Sequence, residues 1–93
     1  MEKEVAQVIW HVLSKLSRMN KIGGAHTEIK NLEKGLPSQF KSSKQGKKII
    51  QEAIKEMFNK EYLLQKPSTG EIHVSLNPRK IKEIKEFIEK YKY

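Results

Sequence analysis

The sequence predicts a mainly α protein with a small β element, an α+β domain, on three observations. Apolar residues recur at i, i+3, i+4 and i+7 in three separate stretches, the period of an amphipathic helix. Ile72, Val74 and Leu76 alternate with His73 and Ser75, the period of a half-buried strand. Pro67-Ser68-Thr69-Gly70, just before them, is turn chemistry. The predicted order is helix, short strand, helix, helix, strand, strand, helix.

The first helix is expected over residues 3–19, with Val5, Val8, Ile9, Val12, Leu13, Leu16 and Met19 on one stripe. Lys15 and Arg18 suit the negative end of its dipole. Trp10 falls beside the stripe, near Ala6 and Leu13. Asn20 to Ala25, with Gly23-Gly24, reverses the chain, and Ile22 is a candidate for a short strand beside the later hairpin. A second helix opens at His26-Thr27, with Thr27 as N-cap and Glu28 in the first turn, and stops at Gly35. Residues 37–43 read as a connector anchored by Phe40. Ser42 and Gln45 have capping-box spacing for the third helix, which runs to about Asn59. Its inner side carries Gly46, Ile49, Ile50, Ala53, Ile54 and Met57, and Gly46 is expected to let the second helix approach. The hairpin arms are Tyr62–Lys66 and Glu71–Leu76. Asn77-Pro78 caps and opens the last helix, Arg79 to about Tyr91.

All of this fits one domain of 93 residues, divided as 1–76 with an appended helix at 77–93. With no cysteine there is neither a disulfide framework nor a thiolate metal site. No apolar run reaches the roughly 18 residues of a membrane span. Met1-Glu2-Lys3-Glu4 does not open a signal peptide, so a cytoplasmic location is expected. The net charge is +8 and it is unevenly spread. Residues 1–14 carry −1, residues 15–48 carry +7 and residues 49–93 carry +2. Lysine-, glutamate- and isoleucine-rich composition marks thermophiles, but there the charges balance, as they nearly do in 49–93. The unbalanced block at 15–48 is the footprint of a polyanion partner.

The order of elements, with a basic third helix and a two-stranded hairpin, resembles the winged helix-turn-helix domains, in particular small archaeal ones. The resemblance covers residues 3–76. It rests on Gly23-Gly24-Ala25-His26-Thr27-Glu28-Ile29 and on Ile50, Ala53, Ile54 and Met57-Phe58-Asn59-Lys60-Glu61-Tyr62-Leu63-Leu64. The latter is similar to the family's Leu-x-x-Leu-x-x-x-Gly-Leu-Leu passage from recognition helix into the wing. Asn59 to Tyr62 stand where a glycine is common. The connector from Gly35 to Ser43 is also longer than the roughly 3–4 residues of a tight helix-turn-helix.

The resemblance implies double-stranded-DNA binding, by a transcriptional regulator or a chromatin-type protein. Lys44, Lys47, Lys48, Gln51 and Lys55 of the third helix would face the major groove. The lysines would clamp phosphates and Gln51 would read an adenine edge. Lys66, Ser68 and Thr69 of the wing would touch the backbone or minor groove. His26 and Thr27 would offer backbone N–H groups to a phosphate, and Lys30 and Lys41 would widen the contact. Ile81, Ile84, Phe87, Ile88 and Tyr91, with Trp10, are candidates for a homodimer interface. A protein-interaction winged helix of transcription or replication machinery, or an RNA- or ribosome-associated one, stays open as an alternative. No enzyme is expected. His11, His26 and His73 are far apart in sequence, Glu83 and Glu86 lie among Lys82 and Lys85, and no nucleotide or nucleophile motif occurs. No cofactor, metal, small-molecule substrate or membrane partner is indicated.

Overall fold

The computed structural model describes residues 2–68 and 70–92, apart from the side chain of Ser68. The chain runs through α1 (Lys3–Arg18), β1 (Thr27–Glu28), α2 (Ile29–Lys34), α3 (Ser38–Lys41), α4 (Lys44–Asn59), β2 (Leu63–Ser68) and β3 (Glu71–Leu76). A 3-10 turn (Pro78–Lys80) and α5 (Ile81–Lys90) follow. The strands form one antiparallel sheet in the order β1-β3-β2. No helix among the described residues is long and apolar enough to cross a membrane.

The core is built around α1. Val5, Val8, Ile9, Val12, Leu13 and Leu16 are all buried, as the stripe predicts. α1 packs against α2, α4, α5 and β3. Met19 is the exception, an exposed C-cap residue. On α5, Ile84 and Phe87 are buried in the same cluster, and Ile81, Ile88 and Tyr91 pack half-buried against it. Trp10 is half-buried too, and its indole N–H donates to the Ile88 carbonyl at 2.9 Å. The apolar stripe of α5 thus packs on its own chain, with Ile84 and Phe87 inside the core cluster and Ile81, Ile88 and Tyr91 at its edge.

Several local expectations shift by a few residues, each for a tertiary reason. Thr27 is not the N-cap of α2. It lies in β1, paired with Val74, and Glu28 takes the cap position without a side-chain bond. The Thr27 hydroxyl accepts from Asn31 Nδ2 at 3.4 Å. Ile22 does pair beside the hairpin, by a single parallel bridge to Leu76, and the strand proper follows at Thr27–Glu28. Ser43, not Ser42, caps α4, its Oγ accepting from the Gly46 N–H at 3.0 Å. The connector holds a helix of its own, α3. Gly46 serves α3 and not α2: a Cβ there would stand 2.4 Å from the Phe40 carbonyl oxygen. Pro67 and Ser68 belong to β2, facing Ile72 and Glu71. The two strands pair as far as Ser68 and Glu71, and Gly70 takes φ +73°. Pro67 is tolerated because β2 is an edge strand, where a missing N–H breaks no ladder on the outer side.

α1 and α4 are each followed by a left-handed residue that is not glycine. Beyond α4, Glu61 takes φ +61°. Its N–H bonds the Phe58 carbonyl at 3.0 Å, and the Tyr62 N–H bonds that of Met57 at 2.9 Å, the Schellman pattern. Asn20 does the same after α1. A left-handed residue at this point after a helix is usually glycine. Asn77 then ties this end to the rest. Its N–H bonds the Tyr62 carbonyl at 2.9 Å and its Nδ2 the Glu61 carbonyl at 2.8 Å. Its Oδ1 accepts from the Arg79 N–H at 3.1 Å, the cap expected from Asn77-Pro78.

Substitutions at two sites should move stability in opposite directions. Gly46→Ala gains helix propensity but drives a Cβ into the Phe40 backbone, so urea denaturation should show a net loss of about 1–3 kcal/mol. Glu61→Gly relieves a left-handed backbone and should raise stability by about 1 kcal/mol.

Candidate nucleic-acid interface

α4 is held by one side. Gly46, Ile49, Ile50, Ala53 and Met57 are buried. At 3.6 residues per turn, Lys44, Lys47, Lys48, Gln51 and Lys55 fall within an arc of roughly 100° opposite that side. All five are exposed. Among the described residues no acidic group forms an ion pair with any of these lysines; the pairs that form are Lys60–Glu56, Lys92–Glu89 and His73–Glu71.

The arc runs into a groove of about 600 Å³ between α2, α3 and α4. Lys30, Glu33 and Lys34 line it from α2, Lys41 from α3, and Lys47, Ile50 and Gln51 from α4. α3 is the spacer that keeps α2 and α4 from closing on each other. The groove brings together four of the residues singled out from sequence, Lys30, Lys41, Lys47 and Gln51. It adds Lys34, which belonged to the basic block and to the expected second helix but was not singled out as a contact. Part of this charge has a structural task. Lys41 Nζ donates to the Lys34 carbonyl at 2.9 Å and Lys15 Nζ to the Asn31 carbonyl at 3.1 Å. Both ammonium groups sit at the C-terminal end of α2, where carbonyls lack helical partners and the dipole is negative.

Other expected contacts are placed differently. Lys44 and Lys48 lie on the first two turns of α4, outside the groove lining. Lys55 lines a separate hollow with Glu2, Glu52 and Glu56, so nearby carboxylates offset its charge. Lys66 is half-buried in β2, facing His73. The Ser68 side chain and Thr69 lie outside the described residues. Thr27 is buried in β1, and α2 begins only at Ile29, so the phosphate seat expected at His26-Thr27 does not form as a helix start.

His26 is exposed, and it is not isolated. β1–β3 pairing brings its Nδ1 to 2.9 Å from Nδ1 of His73. Separation in sequence concealed this pair. The only hint was that both flanked segments of strand-like or turn-like composition. Among the described residues, no three His, Asp or Glu side chains group as ligands for a metal ion.

The opposite flank is acidic and aromatic. Burial raises the Tyr62 phenol above its usual range, with Glu83, Glu86, Glu56 and Tyr91 adding to the effect. Glu83 and Glu86 line a hollow with Tyr62, and neither forms an ion pair with Lys82 or Lys85 among the described residues. No family model, curated protein or solved structure matches the chain.

One titration should be visible in stability. Burial, and then the positive charge of Arg18, lowers the pKa of His11 from 6.5. The unfolded chain therefore takes up this proton at higher pH than the folded one. Stability is complete above the unfolded value and declines as pH falls from about 6.5 toward the lowered folded value. Thermal melts from pH 7.5 to 5 should show that decline, and His11→Gln should flatten it.

Proposed function

We propose that this chain is a winged-helix protein that binds double-stranded DNA, as a small transcriptional regulator or a chromatin-type protein. α4 is the recognition helix, and the hairpin of β2 and β3 is the wing. The strand order β1-β3-β2 and the succession of helices before the hairpin support this reading. The observation that carries it is the exposed lysine arc on α4 that continues into the groove against α2 and α3, with no carboxylate paired to it.

On this reading the lysines neutralise phosphates, and affinity rests on released counterions. Gln51 sits mid-arc, between Lys44, Lys47, Lys48 and Lys55, where a side chain would meet base edges. Lys30 and Lys34 reach the backbone flanking the groove. Lys66 contributes from the wing. A nucleic-acid partner agrees with a cytoplasmic location. Because most contacts are lysines, discrimination between sequences is weak and the salt response is strong.

The test is a fluorescence titration with random duplex DNA, run beside structured RNA. With 6–8 phosphates neutralised, log K should fall against log salt with a slope of about −5 to −7. Lys47→Glu with Lys48→Glu should lower duplex affinity by at least about tenfold and leave the melting temperature nearly unchanged, since both side chains are exposed. Equal affinity in that variant would remove α4 as the contact surface. Tighter RNA binding at matched salt would transfer the surface to RNA.

A further inference from the structure

His73 of β3 stands between Glu28 of β1 and Lys66 of β2, with Glu71 two residues before it on the same face. The nucleic-acid reading has no use for His73. The His26 ring meets it edge to face, with centroids 4.9 Å apart and Nδ1 to Nδ1 2.9 Å. Behind it, His73 Nε2 lies 3.2 Å from Glu71 Oε2.

For a neutral His73 beside an ionised Glu71, hydrogen-bond chemistry assigns the tautomers. An ionised carboxylate can only accept, so His73 donates to Glu71 through Nε2–H. In the neutral ring the lone pair is then on Nδ1, directed at His26. His26 answers with its own Nδ1–H. A carboxylate behind one imidazole nitrogen, with the other nitrogen's lone pair presented forward, is how metal-ligating histidines are oriented.

We propose that His26 and His73 chelate a divalent transition-metal ion of the Zn²⁺ type, each through Nδ1, with Glu71 as the positioning residue behind His73. At bonds of about 2.1 Å and angles between 90° and 110°, two nitrogens on one ion stand about 3.0–3.4 Å apart. The pair is already at 2.9 Å, so a small opening suffices. His26 is exposed and able to turn, and its proton passes to its own Nε2, so the ring remains neutral. Nitrogen ligands favour Zn²⁺, Cu²⁺ or Ni²⁺ over Mg²⁺ or Ca²⁺. Glu28, directly across from His73, leaves the same face with Cβ atoms about 5 Å apart. The two imidazole nitrogens are the protein ligands of this site, and water completes the shell. Two carboxylates against the ammonium of Lys66 make this row acidic in a chain of net charge +8. The site is independent of DNA binding.

The test is titration of the full chain with zinc chloride at pH 7.5, followed by calorimetry and by NMR of the imidazole groups. The expected result is one equivalent in the micromolar range, with His26 and His73 signals moving together and His11 unmoved. His26→Asn and His73→Asn should each weaken binding by at least about tenfold, and Glu71→Gln by about tenfold through lost orientation. Circular dichroism checks that each variant is folded, and His11→Gln should bind as the parent does. Absence of imidazole shifts up to millimolar zinc, or unchanged affinity in His26→Asn, overturns the proposal.

Discussion

The packing of α4 by a single face, against α1 on one side and the α3 backbone on the other, is the constraint on which the remaining geometry depends. Ala53 of α4 and Ala6 of α1 are both completely buried, and α1 and α4 pack on each other. Small side chains allow two helices to approach closely, and Gly46 lets the Phe40 carbonyl approach where no Cβ would fit. With that side committed, the 3.6-residue period turns the lysines at positions 44, 47, 48 and 55 outward. The basic face of α4 follows from how its apolar face is used.

α3 decides what stands next to that face. A tight turn between α2 and α4 would leave no room between them. The four-residue α3 separates them and opens a groove of about 600 Å³ with lysines on every wall. The charge there has two uses. Lys15 and Lys41 quiet the carbonyl end of α2, a helix of only six residues that needs the support. Lys30, Lys34 and Lys47 make no such bond among the described residues. Glu33 is the one acid in the groove lining, and others gather beside Lys55 and around Tyr62. The molecule is therefore polar in charge as well as basic in total.

Asn77 performs the corresponding task on the other side. Three hydrogen bonds from one buried side chain and its backbone N–H join the end of α4, the end of β3 and the start of α5. α4, the hairpin and α5 are thereby held in register. Its cap role was legible from Asn77-Pro78. Its bond to the Glu61 carbonyl was not, because that carbonyl is exposed by a left-handed residue where sequence patterns favour glycine.

The sequence by itself determined the elements whose signal is local. The stripes of α1 and α4, the alternation in β3 and the proline-marked start after Asn77 all come from spacing within a few residues. So did the surplus charge between residues 15 and 48. Tertiary structure decided whatever depends on distant neighbours. Thr27 became strand because Val74 offered a ladder. Ser43 replaced Ser42 as cap because α3 used the preceding turn. The apolar face of α5 went to α1 of the same chain. His26 and His73, 47 positions apart, became one pair only when β1 crossed to β3. Periodicity reports which face of an element is apolar, whereas its partner depends on loop lengths and close approach over the whole chain.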